Sequence, residues 1–287
     1  MKKTITIAHS PDADDIFMYM AIKLGWIGND FDYKNTALDI QTLNDLALKN
    51  EFDATAISFG LYPLIAKEYA LLRTAVSFGE GYGPKLIKKQ NTHLKRNFKV
   101  ALSGANTTNA LIFRMKYPEA RIIYKNFLEI ENAVLSGEVD AGVLIHESIL
   151  EFDSSLCVEA EIWDIWLELA QENLPLPLGG MALRRSLPLS DAIKIERDLT
   201  NAVKIANSNR RILAPMLMER NLIRVNEEKL DTYLNLYANK NSICMSETQF
   251  KAVDVLFKLG YDYKFYDKII HAKDYLIPSE YEEFRNS

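Results

Sequence analysis

Histidine and cysteine are scarce in this sequence, four and two among 287 residues, so the setting of each bears on the chemistry open to the chain. His146 is placed most tellingly. It closes Ala141-Gly142-Val143-Leu144-Ile145, an apolar run that reads as a buried strand, and an imidazole at such a strand end can exchange a proton near neutral pH. A core histidine bonded to a backbone carbonyl would look the same. Ser58 closes the similar run Ala54-Thr55-Ala56-Ile57, where its hydroxyl either faces the same cleft or bonds its own backbone. Ser103-Gly104-Ala105-Asn106-Thr107-Thr108 reads as a strand-to-helix turn whose free amides and hydroxyls could hold a carboxylate at Thr107 and Thr108. A plain threonine N-cap accounts for the same residues.

Other patterns point away from common chemistries. Asp12, Asp14 and Asp15 lack a further ligand at a spacing suited to a divalent cation, and capping of the helix that follows is the reading adopted. Gly79-Glu80-Gly81-Tyr82-Gly83 is not G-x-G-x-x-G, and Pro84 with the extended residues after it leaves no helix for a pyrophosphate. No G-x-S-x-G elbow is present. Cys157 and Cys244 show neither metal-ligand nor redox spacing. His9, His93 and His271 form no pattern with His146, although the His9 loop should line the cleft. Tyr82 and Trp163 are aromatic walls or core residues.

These side chains need elements to position them. Lys3 to Ala8 alternates and is β-branched, predicting a strand that opens into the polar loop His9 to Asp15. Ile16 to Leu24 is apolar nearly all round, predicting a buried helix ended by Gly25. Glu51-Phe52-Asp53-Ala54 and Glu138-Val139-Asp140-Ala141 each join a helical stretch to a strand, and aligning them brings Lys99 to Ser103 opposite the first strand. Such a repeat predicts two similar α/β lobes, with ligand-facing loops at the carboxyl ends of parallel strands. Crossings between lobes are expected at Gly79 to Lys88 and Leu174 to Arg184. This gives a discontinuous first lobe, 1–88 with 179–287, and a second, 89–178. After Ser190 the pattern is helical and is expected to pack back on the first lobe.

Composition narrows the partners. A net charge of -5 offers no basic field for nucleic acid or an anionic membrane. No apolar run approaches the roughly 20 residues that span a bilayer. The amino-terminal run turns polar too soon for a signal peptide, so the cytoplasm is expected. A small-molecule carboxylate is the expected partner, for a monomer or homodimer.

Ser58-Phe59 with Tyr69-Ala70-Leu71-Leu72, Gly79 to Pro84, Thr107-Thr108, Ala141 to Glu147 and Leu176-Pro177-Leu178-Gly179 resemble, in that order, the 1,4-dihydroxy-6-naphthoate synthases of the futalosine route to menaquinone. The resemblance spans most of the first 185 residues. It implies the two-lobed fold of the type II periplasmic binding proteins, and carbon-carbon lyase chemistry on cyclic dehypoxanthinylfutalosine with no cofactor or metal. It also implies His146 as base, Ser58 and Thr107 as cleft hydroxyls, and Asn44 before the Asp-Ala strand; Thr108, Ser10 and Tyr82 are expected beside them around the substrate. The related chorismate dehydratases lack the Ile-His-Glu ending seen at Ile145-His146-Glu147. They remain the alternative, together with a non-catalytic carboxylate-binding protein. Many members carry Cys-Pro-Asn-Asp-Thr-Phe where this chain has Asp12-Ala13-Asp14-Asp15-Ile16-Phe17.

Overall fold

The computed structural model describes residues 2–28, 30–219, 226–238 and 240–278. The chain alternates strands and helices: β1 (Lys3–His9), α1 (Ala13–Lys23), β2 (Phe31–Ala37), α2 (Ile40–Ala47), β3 (Ala54–Ser58), α3 (Tyr62–Ile65), β4 (Tyr69–Leu71), β5 (Ser77–Gly79) and β6 (Lys85–Lys89). There follow β7 (Lys99–Leu102), α4 (Thr108–Lys116), β8 (Arg121–Tyr124), α5 (Ile130–Ser136), β9 (Ala141–Leu144), β10 (Leu156–Glu161), α6 (Ile162–Ala170) and β11 (Leu176–Arg184). Four helices complete it: α7 (Leu189–Ser208), α8 (Arg210–Glu219), α9 (Glu227–Tyr237) and α10 (Glu247–Asp262).

The strands form two sheets of one design. The first runs β2-β1-β3-β11-β4, with β5 also on β11, and the second runs β8-β7-β9-β6-β10. In each, three parallel strands meet one antiparallel strand, β11 against β3 and β6 against β9. Ile7 lies opposite Ala54 and Val100 opposite Ala141, so β1 corresponds to β7 and β3 to β9. The predicted repeat is therefore a repeat of structure, and its aspartates show why it persists. Asp53 accepts the backbone N–H of Thr6 at 3.0 Å, and Asp140 that of Lys99 at 2.7 Å, so each Asp-Ala step ties the incoming strand to its neighbour.

The fourth strand of each sheet is the chain's crossing. Lys85–Lys89 pairs within the second sheet and Leu176–Arg184 within the first. Each buries apolar residues where it inserts, Leu86 and Ile87 in β6 and Met181 to Leu183 in β11, as a central position requires. Helix α1 starts at Ala13, three residues before its predicted start, because the polar turn before Ile16 is already helical; Gly25, at φ +69°, follows its end as expected. Helix α7 packs against α1, and α10 against β11, so the carboxyl-terminal helices cover the first sheet. Among the described residues no helix is long and apolar enough to cross a membrane.

Candidate functional site

The carboxyl ends of β1, β3, β7 and β9 converge on one cavity between the sheets. It has about 800 Å³ of space, its open mouth included. Ser10, Asp12 and Asp15 enter from the loop after β1, Ser58 from the end of β3, Ser103 to Asn109 from the loop after β7, and Ile145 with His146 from the end of β9. Met18, Ile40, Ile57, Leu178 and Tyr233 supply apolar wall.

His146 begins a 3₁₀ turn with φ +56°, a left-handed conformation that side-chain-bearing residues seldom adopt and that the surrounding contacts must hold. Its Nδ1 lies 2.7 Å from Asp12 Oδ2, and the Phe127 ring meets it edge-on at 5.0 Å. Nδ1–H therefore donates to the carboxylate, and proton exchange with a bound molecule falls to Nε2. Asp12 is buried, and its second oxygen has no hydrogen-bond partner among the described residues.

The neighbouring residue Glu147 accepts the Ala13 backbone N–H at 3.0 Å, so a carboxylate from the second sheet sits on the first turn of α1. Burial and the nearby Asp12 raise the Glu147 pKa, against the pull of His146 and backbone amides. Asp15 accepts the Ser10 N–H at 2.8 Å. Burial first, and then the Asp12 charge, push the Asp15 carboxyl up to about 7, with the Ser10 amide and His146 opposing.

The hydroxyls divide into three kinds. Ser10 Oγ and Ser103 Oγ occupy equivalent strand-end positions; both are buried in the cavity wall without a partner among the described residues. Each lacks a partner that a ligand could supply. Ser58 is held by Asn44, whose Nδ2 donates to Ser58 Oγ and whose Oδ1 accepts the Ser58 N–H, both at 3.0 Å; the Ser58 proton is left to donate. Asn44 is fully buried and does not line the cavity: it positions Ser58.

Thr107 caps α4, accepting the Ala110 N–H at 3.3 Å, and also lines the cavity, so both readings of that residue describe its place. Thr108 donates to the Leu178 carbonyl at 2.8 Å and accepts the Gly60 N–H at 2.9 Å. Both its hydrogen-bonding roles are taken up in joining the two halves. A second clasp runs beside it. Asn106 receives Asn44 Nδ2 on its carbonyl at 3.2 Å, gives its N–H to Gln41 at 3.1 Å and gives Nδ2 to Asp45 at 3.1 Å. Gly104 permits this approach, since a Cβ there would lie 2.0 Å from Gln41 Oε1.

Three expectations need restating against this geometry. Asp12 stands at the N-cap position of α1 but makes no side-chain capping bond, and Asp15 turns back to Ser10; the imidazole and a loop amide outcompete the helix for these carboxylates. The Asp14 side chain lies outside the described residues. Tyr82 points away from the cavity: its hydroxyl donates to the carbonyls of Phe78 and Leu236, in a separate hollow. His9 stacks on Tyr19 and bonds the Ser10 carbonyl, and burial lowers its pKa. Among the described residues no group of three His, Cys, Asp or Glu side chains is arranged to hold a metal ion.

Comparison with known proteins agrees with the arrangement. Solved structures that share the fold include a ligand-binding component of an ABC-type import system from Staphylococcus aureus, with TM-score 0.68 and 12% identity over 98% of this chain and 99% of that one. An alkanesulfonate-binding protein from Xanthomonas axonopodis matches at TM-score 0.69 and 11% identity over 95% and 97%. A crystal structure of a protein from Archaeoglobus fulgidus reaches TM-score 0.85 with 32% identity over 91% of this chain and 98% of that one. Curated proteins named 1,4-dihydroxy-6-naphthoate synthase are similar over nearly their whole length. That of Streptomyces coelicolor is 27% identical, covering 87% of this chain and 90% of the relative; that of Thermus thermophilus is 25% identical, covering 89% and 93%. The fold is that of the periplasmic binding proteins, the names of these relatives are those of enzymes, and residues 5–262 match the family described as "Menaquinone biosynthesis", to which this chain belongs.

Proposed function

We propose that the protein is a carbon-carbon lyase, a 1,4-dihydroxy-6-naphthoate synthase that acts on cyclic dehypoxanthinylfutalosine in the cytoplasm. One observation carries this reading: an imidazole fixed through Nδ1 by the buried Asp12 faces a cavity whose polar lining is otherwise hydroxyls, carboxylates and the Asn109 amide. His146 Nε2 removes the acidic proton beside a substrate carbonyl. Elimination then expels the sugar-derived portion, and formation of an aromatic ring makes the step downhill. Ser58, Ser10 and Ser103 offer hydrogen bonds to the bound molecule, and Thr107 stands beside them. The first turn of α4, which opens on the cavity at Thr108, suits the substrate's carboxylate.

The two lobes close on the substrate about the crossing strands, β6 belonging with the second sheet and β11 with the first rather than dividing at residues 88 and 178. The Thr108 and Asn106 clasps belong to the closed state. Positioning and exclusion of water by closure supply much of the rate.

The test is to incubate the purified protein separately with cyclic dehypoxanthinylfutalosine and with chorismate. Release of 1,4-dihydroxy-6-naphthoate from the first is expected. Turnover of chorismate alone would make the protein a chorismate dehydratase, and tight binding without turnover would make it a solute receptor.

A further inference from the structure

Elimination needs an acid as well as a base, and the cavity holds a second carboxylic group that base chemistry leaves unused. Resting on the reaction proposed above, we infer that Asp15 is the catalytic acid, giving its proton to the sugar-derived oxygen as that oxygen leaves.

Asp12 and Asp15 stand one helical turn apart, and both line the cavity. The charged or titratable groups facing Asp15 are Asp12 on its own loop, His146 from the second sheet, and the buried Tyr19 one turn further along α1. From the helices packed on α1, Tyr233 of α9 reaches the cavity, and Arg210 of α8 lies over the Phe17 ring. No lysine or arginine is among the described residues that line the cavity. Three carboxylates, Asp12, Asp15 and Glu147, thus share one imidazole, and all cannot be ionised without a large cost; Glu147 is held on the Ala13 amide outside the cavity lining, so Asp12 and Asp15 are the two that face a bound molecule. Asp12 accepts the imidazole N–H and must be the carboxylate. Asp15 therefore keeps the proton. Its Oδ2 accepts the Ser10 amide, which fixes the carboxyl and leaves the O–H on the other oxygen to donate into the cavity. Its raised pKa, near 7, agrees with an acid that is still protonated at the working pH.

The step balances. His146 Nε2 takes a proton from the carbon beside the carbonyl, and the freed pair forms the new C=C bond. The carbon–oxygen bond on the next carbon breaks, and that oxygen takes the Asp15 proton; the carbon–carbon bond to the sugar-derived portion breaks in a later retro-aldol step, in which a sugar hydroxyl loses its proton and becomes a carbonyl while the electron pair passes into the ring as it becomes aromatic. Imidazolium and carboxylate remain, and return of one proton from His146 to Asp15 restores the resting pair. No electron acceptor or donor is required.

The experiment is the pH profile of kcat/KM for cyclic dehypoxanthinylfutalosine with wild type and Asp15→Asn. Asparagine can still accept the Ser10 amide, and thermal melting checks that the variant is folded. The wild type is expected to lose activity above about pH 7, where the acid ionises. Asp15→Asn should fall about 10²-fold at pH 6, lack that alkaline limb, and converge on wild type within about threefold at pH 9. An alkaline limb kept unchanged in Asp15→Asn overturns the inference, since a merely structural role would lower activity equally at every pH. If Asp15→Asn melts early, Asp15→Glu takes its place: a shifted alkaline limb supports the acid, an unshifted one overturns it. No turnover of this compound by wild type at any pH would instead overturn the reaction reading itself.

Discussion

The loops after β1 and β7 occupy equivalent places in the two sheets, and both begin with a serine whose buried hydroxyl lacks a partner among the described residues. Beyond that serine they diverge. The first continues through Asp12 and Asp15, and the amide of α1 that follows is already taken by Glu147. The second continues through Gly104, Asn106 and Thr107 and brings no carboxylate, so the first turn of α4 keeps its field for a bound anion. The strand ends diverge in the same sense, with Ser58 closing β3 and His146 following β9. On the proposed reading, one doubled scaffold carries proton transfer on the Asp12, Asp15 and His146 side and anion holding on the Ser103 to Thr108 side. A binding protein needs only the second.

Removing the proton-transfer side should have the largest effect. His146→Ala is expected to lower kcat by about 10²–10⁴-fold while substrate binding, followed by calorimetry, changes little. Full turnover by the folded variant would end the assignment of His146 as base. Asp12→Asn tests the same side more gently. Asparagine can still accept from Nδ1 but brings no charge to stabilise the imidazolium, so kcat should fall by roughly 10-fold or more with KM nearly unchanged. Should KM rise with kcat constant, Asp12 would belong to substrate binding instead.

Closure comes next. A Cβ at residue 104 would meet Gln41 Oε1 at 2.0 Å and Gln41 Cβ at 2.6 Å, so the collision cannot be relieved by the far end of the side chain alone. Gly104→Ala is expected to hold the halves apart and reduce kcat/KM by about 10-fold or more. Gln41→Gly on top of it should restore part of the loss. Absence of any rescue would show that the glycine serves the local turn.

How much of this was legible in the chain follows from what is local. The repeat could be read because Asp53 and Asp140 sit in matching strings beside matching strands, and His146 and Ser58 were marked by the apolar runs they close. The cavity's acidic side was not legible. Asp12, Asp14 and Asp15 have a sufficient local explanation as helix caps, and nothing within a few residues shows that the partner of Asp12 lies across the cleft at His146. Three carboxylates at a helix start, where one cap would do, were the available signal. Tyr82 misled for the same reason, since its hydroxyl bonds Leu236, over 150 residues away.

The anion-holding side is the place for the smaller kinetic effect. Ser103→Ala removes one hydroxyl that no other group among the described residues satisfies, and a lost hydrogen bond to a charged group is typically worth about 1.5–3 kcal/mol, to a neutral one about 0.5–1.5. A rise in KM of roughly 10-fold or more with kcat preserved would place a substrate carboxylate at Ser103, and a few-fold rise a neutral oxygen. The same substitution at its counterpart Ser10 separates the two loops: facing the carboxylates, it should meet a neutral group and show only the few-fold change. Equal effects at both serines would mean that the substrate's charge is not confined to one side.

The smallest change concerns stability, and its sign follows from linkage. Folding raises the Asp15 pKa from 3.8 to about 7, so between these values the native state holds a proton that the unfolded chain has released. Stability must then fall as pH rises through this window and level off above it. Asp15→Asn cannot ionise and escapes that slope. Relative to wild type it should gain on going from pH 5 to pH 8, by roughly 1 kcal/mol once the coupling to Asp12 and residual solvent contact are allowed for, or about 2–4 °C in Tm for a chain near this size. Parallel melting curves for the two proteins across that range would mean that Asp15 is already ionised at pH 5. The cost of burying a second carboxylate would then be borne elsewhere in the Asp12, Glu147 and His146 group, and the proton-transfer side would lack its acid.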